Sequence, residues 1–304
     1  MHNCRGWQFF KKHLYSKPSS NRCDNRTMTE VKKHFAVIGN PIHHSLSPQI
    51  HAIFAKDAGL LMDYKAVLSP LDGFQQTSQT LISQKLSGAN VTLPFKKEAY
   101  QLAHKHSQHA TIAEAVNTLE FKDKEIIGHN TDGIGLVRDL EQNLLIDLKD
   151  KKILLIGAGG AAEGVLYSIL EKKPLELTLT NRTIEKSNTI KNKMNAYAKH
   201  LNVDLSVVEI SKLQHQYFDV VINATSASLN EADLGLDNKV FHEKCLAYDM
   251  MYGKETLFIK QAKSQHAQIS DGLGMLVEQA AEAFYIWHHI KPQTKSVIDF
   301  FRKN

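Results

Sequence analysis

The chain has 304 residues, 42% of them hydrophobic and 23% charged, with 16 Gly, 7 Pro and 3 Cys. That length predicts about two domains, and the composition excludes collagen-like, low-complexity and wholly disordered classes. The formal net charge of +5 does not describe the body of the protein, because Arg5, Lys11, Lys12, Lys17, Arg22 and Arg26 stand against Asp24 alone in the first 27 residues and the remainder is formally neutral.

Residues 1–27 read as a disordered basic extension, or as a segment ahead of a true start at Met28. They lack the apolar core of a signal peptide, and a transit role is the lesser alternative. Trp7, Phe9, Phe10 and Tyr15 interleave with basic residues there, but the neutral body and the lack of a recognition motif argue against a nucleic-acid partner. No apolar run of about 18 residues is available to span a membrane. Cys4, Cys23 and Cys245 are too scattered for a disulfide framework or a zinc site, which suits a reducing, cytoplasmic setting.

From His34 the pattern becomes regular. His34–Gly39 reads as a buried strand, followed by a helix from Pro48 to Leu60 with Ser47 as its N-cap. A strand at Tyr64–Leu68, a helix at Leu71–Leu86, a strand at Ala89–Leu93 and a helix at Lys96–His104 follow. Val116–Phe121 and Glu125–His129 read as a strand pair across Lys122-Asp123-Lys124. Asp132 caps a helix over Gly133–Gln142. The alternation predicts an α/β fold with a largely parallel sheet. A second series runs through strands at Ile153–Gly157, Leu175–Thr180, Leu205–Ile210, Asp219–Ala224, Cys245–Met250 and Gln268-Ile269. Helices at Ala161–Glu171, Ile184–Lys199 and Thr256–Ser264 alternate with them, and Met275–Ile290 and Lys295–Arg302 close the chain as helices. Leu276, Ala280, Phe284 and Trp287 form the apolar stripe of the first of these.

Gly157-Ala158-Gly159-Gly160-Ala161-Ala162 sits between a predicted strand and a predicted helix and fits G-x-G-x-x-A. Glycines there allow a tight turn and close approach of a dinucleotide pyrophosphate to the helix N-terminus. The next strand ends in Asn181-Arg182-Thr183, with Lys186 one turn on and no carboxylate. A ribose 2′-hydroxyl calls for Asp or Glu at this place; a guanidinium fork suits a 2′-phosphate, so NADP is expected over NAD. Asn223–Ser226, at another strand end, is a weaker ligand signal.

Polar clusters also end the strands of the first half: Ser45 and Ser47, then Asn90, Thr92 and Lys96, then Asn117-Thr118, then Asn130-Thr131-Asp132. In a parallel sheet such ends share an edge, and together they offer hydroxyls, amides, an amine and a carboxylate suited to a small polyhydroxylated acid. Singly each has a structural explanation. His104, His106 and His109 lack further metal-ligand partners in their pattern and read as solvated histidines at a helix end; no metal is expected.

The ordered motifs GNPIHHSLSP (39–48), GANVTLPFK (88–96), AVNT (115–118), HNTDG (129–133), LLIGAGGAA (154–162), TNRT (180–183), INATS (222–226), YDMMY (248–252) and DGLGMLVEQAA (271–281) resemble the shikimate dehydrogenase family over nearly all of the chain from His34. The resemblance implies NADPH-dependent reduction of 3-dehydroshikimate to shikimate in aromatic (chorismate) biosynthesis, with Lys96 and Asp132 as the catalytic pair. It implies that Ser45 and Ser47 hold the substrate carboxylate, that Tyr252 borders that end, and that Asn90, Thr92, Asn117 and Gln279 bind ring hydroxyls. Gly157, Gly159, Gly160 and Ala161 would meet the pyrophosphate, and Asn181, Arg182, Thr183 and Lys186 the adenosine ribose phosphate; Met250 and Gly272 complete the cofactor set.

The family also implies a two-domain α/β architecture. A discontinuous substrate domain (28–131 and 273–304) flanks a Rossmann-type NADP-binding domain (132–272), with the active site between them, in a monomer or homodimer. His129 stands where some members carry Asp, and Lys186 where some carry Arg. Two alternatives stay open: an enzyme accepting quinate or NAD as well, and a non-catalytic NADP-binding regulator on the same fold.

Overall fold

The computed structural model describes residues 32–225 and 233–303. The extension expected over residues 1–27 and Ser226 of the Asn223–Ser226 turn lie outside the described residues.

Two six-stranded sheets organise the chain. The first contains β1 (Lys33–Gly39), β2 (Met62–Leu68), β3 (Gly88–Val91), β4 (Lys105–His106), β5 (Thr118–Lys122) and β6 (Glu125–His129), in the order β2-β1-β3-β5-β6-β4. β1 runs parallel to β2 and β3, whereas β5 is antiparallel to β3 and β6. β4 is again parallel to β6, so the sheet is mainly parallel, as expected, with β5 inserted antiparallel between β3 and β6. The cause is local: the turn after Lys122, with Asp123 at φ 50°, folds β6 straight back onto β5, and a parallel neighbour would need a long crossover. Helices α1 (Ser47–Asp57), α2 (Phe74–Ser83), α3 (Lys96–Leu102) and α4 (Gln108–Ala113) connect these strands.

α5 (Asp132–Arg138) runs into a π-helical turn at Asp139–Asn143 and leads to the second sheet. That sheet holds β7 (Lys152–Ile156), β8 (Glu176–Thr180), β9 (Asp204–Val207), β10 (Val220–Asn223), β11 (Leu246–Asp249) and β12 (Gln268–Asp271). Its order is β12-β11-β10-β7-β8-β9, and every pairing is parallel. The chain steps outward from β7 to β9 and then reverses to β10, so the order switches between the paired strands β7 and β10, and ligands of such sheets bind at the strand ends there. α6 (Gly160–Glu171), α7 (Ile184–Leu201) and α8 (Leu257–Ser264) cover it. Successive side chains of a strand face opposite ways: Ile153 and Leu155 of β7 join Val165 and Ile169, while Leu154 and Ile156 join Phe258 and Ala262. Burial on both faces is why this segment is a continuous apolar run.

After β12 the chain returns to the first sheet as α9 (Leu273–His288), followed by α10 (Lys295–Lys303). Trp287 stacks on Phe35 of β1 with ring centroids 4.5 Å apart, and its indole Nε1 donates to the Leu119 carbonyl at 3.1 Å. Ala280, Phe284 and Trp287 are buried and Leu276 partly so. Among the described residues, no helix is long and apolar enough to cross a membrane.

Several boundaries differ from the sequence expectation. α2 starts at Phe74, because the Gly73 N–H bonds the Pro70 carbonyl and closes a turn that leaves Leu71 exposed. Ser47 is the first residue of α1 rather than its cap; Leu46 holds the cap position, and the Ser45 hydroxyl accepts from the Ser47 N–H at 3.3 Å. Asp132 likewise opens α5 after Thr131. Of the three histidines, His104 is exposed just past the end of α3, whereas His106 and His109 are part-buried and lie in other elements. Ala103 turns extended and stops α3, so His104 accepts from the Ile126 N–H, His106 in β4 bonds the Tyr100 carbonyl, and His109 in α4 meets Glu171.

Candidate active site

The polar clusters meet at one edge of the first sheet. Lys96 opens α3 and Asp132 opens α5, and Lys96 Nζ lies 2.6 Å from Asp132 Oδ2. Their side chains are 20% and 9% exposed, so the pair is reachable yet largely shielded from water. The second oxygen, Asp132 Oδ1, accepts from Asn117 Nδ2 at 2.8 Å. Asn117 is itself fixed: its Oδ1 accepts from the Thr131 N–H at 2.9 Å and from the Thr118 hydroxyl at 3.1 Å. Asn130 Oδ1 accepts from the Asp132 N–H at 3.1 Å. Both carboxylate oxygens are thus engaged, which leaves the ammonium's remaining donors for a ligand.

Gln279 arrives from α9, and its Oε1 lies 3.4 Å from Asn117 Nδ2. Asn90, in β3, donates from Nδ2 to the Thr118 hydroxyl at 3.0 Å and to the Asn117 carbonyl at 3.2 Å. Ser45 and Ser47 stand together at the start of α1. Thr92 follows β3, and a Cβ at Gly39 would meet its methyl at 2.5 Å, so only glycine lets the end of β1 come this close. Tyr252 is half-buried in the loop after β11, where burial raises its pKa; it makes no hydrogen bond to this network among the described residues.

Two residues that the sequence reading did not single out belong to the same locality. The Tyr64 hydroxyl donates to Asn90 Oδ1 at 2.7 Å, and burial pushes its pKa well up, with Ser47 opposing that shift. His51, one turn after Ser47 in α1, stacks on the Tyr64 ring at 4.2 Å and 10°. It is fully buried, and burial lowers its pKa from 6.5 to about 3, with His288 adding to that shift and the nearby Asn90 amide opposing it. Alternation along β2, with Met62 and Tyr64 on one face, was the only available signal; the apolar neighbours of His51 gave none.

The Gly-rich turn behaves as a dinucleotide cradle. Gly157 follows β7 at φ +120°, a conformation open to glycine, and a Cβ there would sit 3.1 Å from the Ala224 carbonyl. Asn223 holds that facing turn by accepting from the Thr225 N–H and hydroxyl. Gly159 and Gly160 have open space where a side chain would project, and the N-terminus of α6 carries no side-chain cap. Its first N–H groups are therefore free of the protein's own side-chain acceptors and suit an anion. Ala161 is half-buried behind them, and Ala162 packs at 1% exposure. At the end of β8, Asn181 Nδ2 donates to the Thr183 carbonyl at 2.9 Å, while Arg182, Thr183 and Lys186 face solvent. The residues present fit a dinucleotide bearing an extra phosphate.

The two centres are adjacent. Gly164, one turn after Gly160 in α6, lies against the catalytic-pair candidate: a Cβ there would be 3.4 Å from Asp132 Oδ2. Gly133 packs α5 onto α6 at Ser168. Gly272, the N-cap of α9, is held so tightly to the Met250 carbonyl that any side chain would overlap it. Among the described residues, no group of three or more His, Cys, Asp or Glu side chains is placed to hold a metal ion.

Family models match three stretches: the shikimate dehydrogenase substrate binding domain at residues 37–119, shikimate / quinate 5-dehydrogenase at 139–233, and the shikimate 5'-dehydrogenase C-terminal domain at 272–299. A shikimate dehydrogenase (NADP(+)) of Methylobacillus flagellatus is 50% identical over 269 residues, covering 88% of this chain and 98% of that protein. The crystal structure of an Ael1 enzyme from Pseudomonas putida is similar at 40% identity and a TM-score of 0.83, over 88% of this chain and 98% of that one. Shikimate 5-dehydrogenase from Thermus thermophilus, in complex with NADP(H) and shikimate, is similar at 29% identity and a TM-score of 0.79, over 89% of this chain and 99% of that one. With the paired sheets, the Gly-rich turn and the Lys96–Asp132 pair, these matches show that the chain belongs to the shikimate dehydrogenase family.

Proposed function

We propose that this protein is an NADP-dependent shikimate dehydrogenase, reducing 3-dehydroshikimate to shikimate and running in reverse when shikimate is supplied. The observation that carries the reading is the Lys96–Asp132 contact at 2.6 Å, one helical turn of α6 away from the dinucleotide cradle. The NADP named for the Methylobacillus flagellatus relative matches the Arg182-centred loop, which has no carboxylate to favour NAD.

NADPH, when bound, supplies the hydride. Lys96 meets the developing alkoxide with its ammonium and donates the proton that completes the hydroxyl; such acid–base help contributes about 10²–10⁴ in rate. Asp132 Oδ2 holds the ammonium in place, and Asn117 on Oδ1 keeps the carboxylate from rotating. In the reverse direction the same Lys–Asp unit takes the proton. Ser45 and Ser47 receive the substrate carboxylate, with Tyr252 beside it, and Asn90, Thr92, Asn117 and Gln279 read the ring hydroxyls. Gly157, Gly159, Gly160 and Ala161 hold the pyrophosphate; Asn181, Arg182, Thr183 and Lys186 hold the ribose phosphate. Met250 and Gly272, at the ends of β11 and β12, would hold the other end of the dinucleotide.

The domains that follow are 28–131 with 273–304 for substrate and 132–272 for NADP. The cytoplasm is the proposed location, with a monomer or homodimer as the working state and no nucleic-acid or membrane partner. The test is reduction of NADP⁺ and NAD⁺ by the purified protein with shikimate and with quinate, run in parallel. Turnover is expected to be fastest with shikimate and NADP⁺. Cofactor binding with no turnover on either acid overturns the reading in favour of a regulator, and equal rates with quinate overturn the substrate assignment.

A further inference from the structure

A buried polar knot lies outside the site just described, where α5 and α9 meet the second sheet. Asp139, the first residue of the π-helical turn, is 1% exposed. Its Oδ2 accepts from the Tyr248 hydroxyl at 2.7 Å, and its Oδ1 accepts from Asn143 Nδ2 at 2.9 Å. The same Asn143 amide donates to Glu278 Oε1 at 3.1 Å, and Glu278 is 4% exposed. Gly274 closes the knot, since any side chain there would overlap the Asp139 carboxylate. Burial raises the pKa of both Asp139 and Tyr248. A packing contact alone needs no carboxylate here, and burying one is costly unless it is hydrogen-bonded. What a carboxylate supplies and a leucine does not is a directional bond of fixed length.

Each member of the knot is chained to a part of the site. Asp139 lies seven residues, about two helical turns, after Asp132 on one continuous helical rod. Glu278 is the neighbour of Gln279 in α9. Tyr248 stands in β11 two residues before Met250. The π-helical turn that ends this rod begins at the residue that accepts the bond from the second sheet.

We propose that Tyr248 and Asp139 are positioning residues whose hydrogen bond ties β11 to the α5–α9 pair and thereby sets the separation between the cofactor-side loop at Met250 and the Lys96–Asp132 pair. The proposal rests on the function given above. A hydride moves only over a short, well-aligned gap, and a misplacement of about 1 Å costs on the order of 10²-fold in rate. Binding of each ligand to its own half tolerates such a shift far better.

The test uses the full chain with Tyr248→Phe, which removes one buried oxygen and keeps the ring. Steady-state kinetics with shikimate and NADP⁺ are compared with the wild type, together with the deuterium isotope effect on shikimate labelled at the carbon that loses hydride. We expect kcat to fall roughly 10–10²-fold, both KM values to stay within about threefold, and the isotope effect to rise as hydride transfer becomes rate-limiting. Asp139→Asn keeps an acceptor oxygen for Tyr248, so it should retain clearly more turnover than Asp139→Leu. A lowered melting temperature with unchanged kcat and isotope effect, or equal losses in the Asn and Leu variants, overturns the proposal by showing a merely structural bond. Wild-type protein without turnover on shikimate overturns the functional reading, and the proposal with it.

Discussion

Replacing Lys96 by Met removes the ammonium and keeps most of the side-chain volume. In the wild type that ammonium touches Asp132 Oδ2 at 2.6 Å, and Asn117 independently holds Oδ1 at 2.8 Å. Breaking a fully buried pair costs about 3–5 kcal/mol. Here the lysine side chain keeps 20% of its exposure and Asn117 still serves the carboxylate, so a loss of about 1–3 kcal/mol is expected, a drop of several degrees in Tm. The catalytic loss is larger. Forfeiting the proton donor predicts kcat lower by about 10²–10⁴, or about 3–5 kcal/mol of barrier. The assay is NADP⁺ reduction by shikimate, alongside NADPH titration by fluorescence and thermal unfolding. Near-normal NADPH affinity with collapsed turnover is the expected pattern. Turnover within about threefold of wild type refutes the assignment, and an equal collapse of NADPH affinity shows that Lys96 orders the cofactor instead.

Arg182→Ala should raise the KM for NADPH roughly 10–100-fold, as expected for losing a charged hydrogen-bonding partner, and leave that for NADH nearly unchanged; equal effects on both mean that Arg182 does not read the phosphate. Gly157→Ala forces a side chain into φ +120° and against the Ala224 carbonyl; a stability loss of about 1–3 kcal/mol and weaker NADP⁺ binding are expected by thermal melts and calorimetry, and unchanged affinity argues against this turn as the cradle. His51 is held neutral, with its pKa lowered from 6.5 to about 3 by burial and by His288. The unfolded chain therefore takes up that proton first as pH falls, so the stabilisation is complete above pH 6.5 and is lost toward pH 3, by about 1.4 kcal/mol per pH unit. His51→Phe should flatten the decline in urea midpoint between pH 6.5 and 4.5; an identical slope in the variant shows that His51 does not set it.

Much of this protein was legible without a structure. Local rules suffice where a residue's role is set by its neighbours in the chain. The Ile153–Ile156 run had to be a strand buried on both faces, Gly157–Ala162 had to be a turn into a helix, and the Asn181-Arg182-Thr183 end had to lack a carboxylate for ribose. The ordered motifs extended this to the family, and with it to the roles proposed for Lys96, Asp132 and Gln279.

Other features depend on residues far apart in the chain, and no local pattern carries them. The pairing of β5 against β3, the π-turn at Asp139 and the short β4–α4 unit each arise from tertiary contacts that override period and propensity. Tyr64 looked like one more strand residue until β3 brought Asn90 to its hydroxyl. Asp139 looked like a helix acid until Tyr248 reached it from 109 residues away. The hydrophobic pattern determines which elements form because burial is a property of each segment. Which polar atoms end up 2.6–3.4 Å apart is decided by how those segments pack, and that is a property of the whole chain.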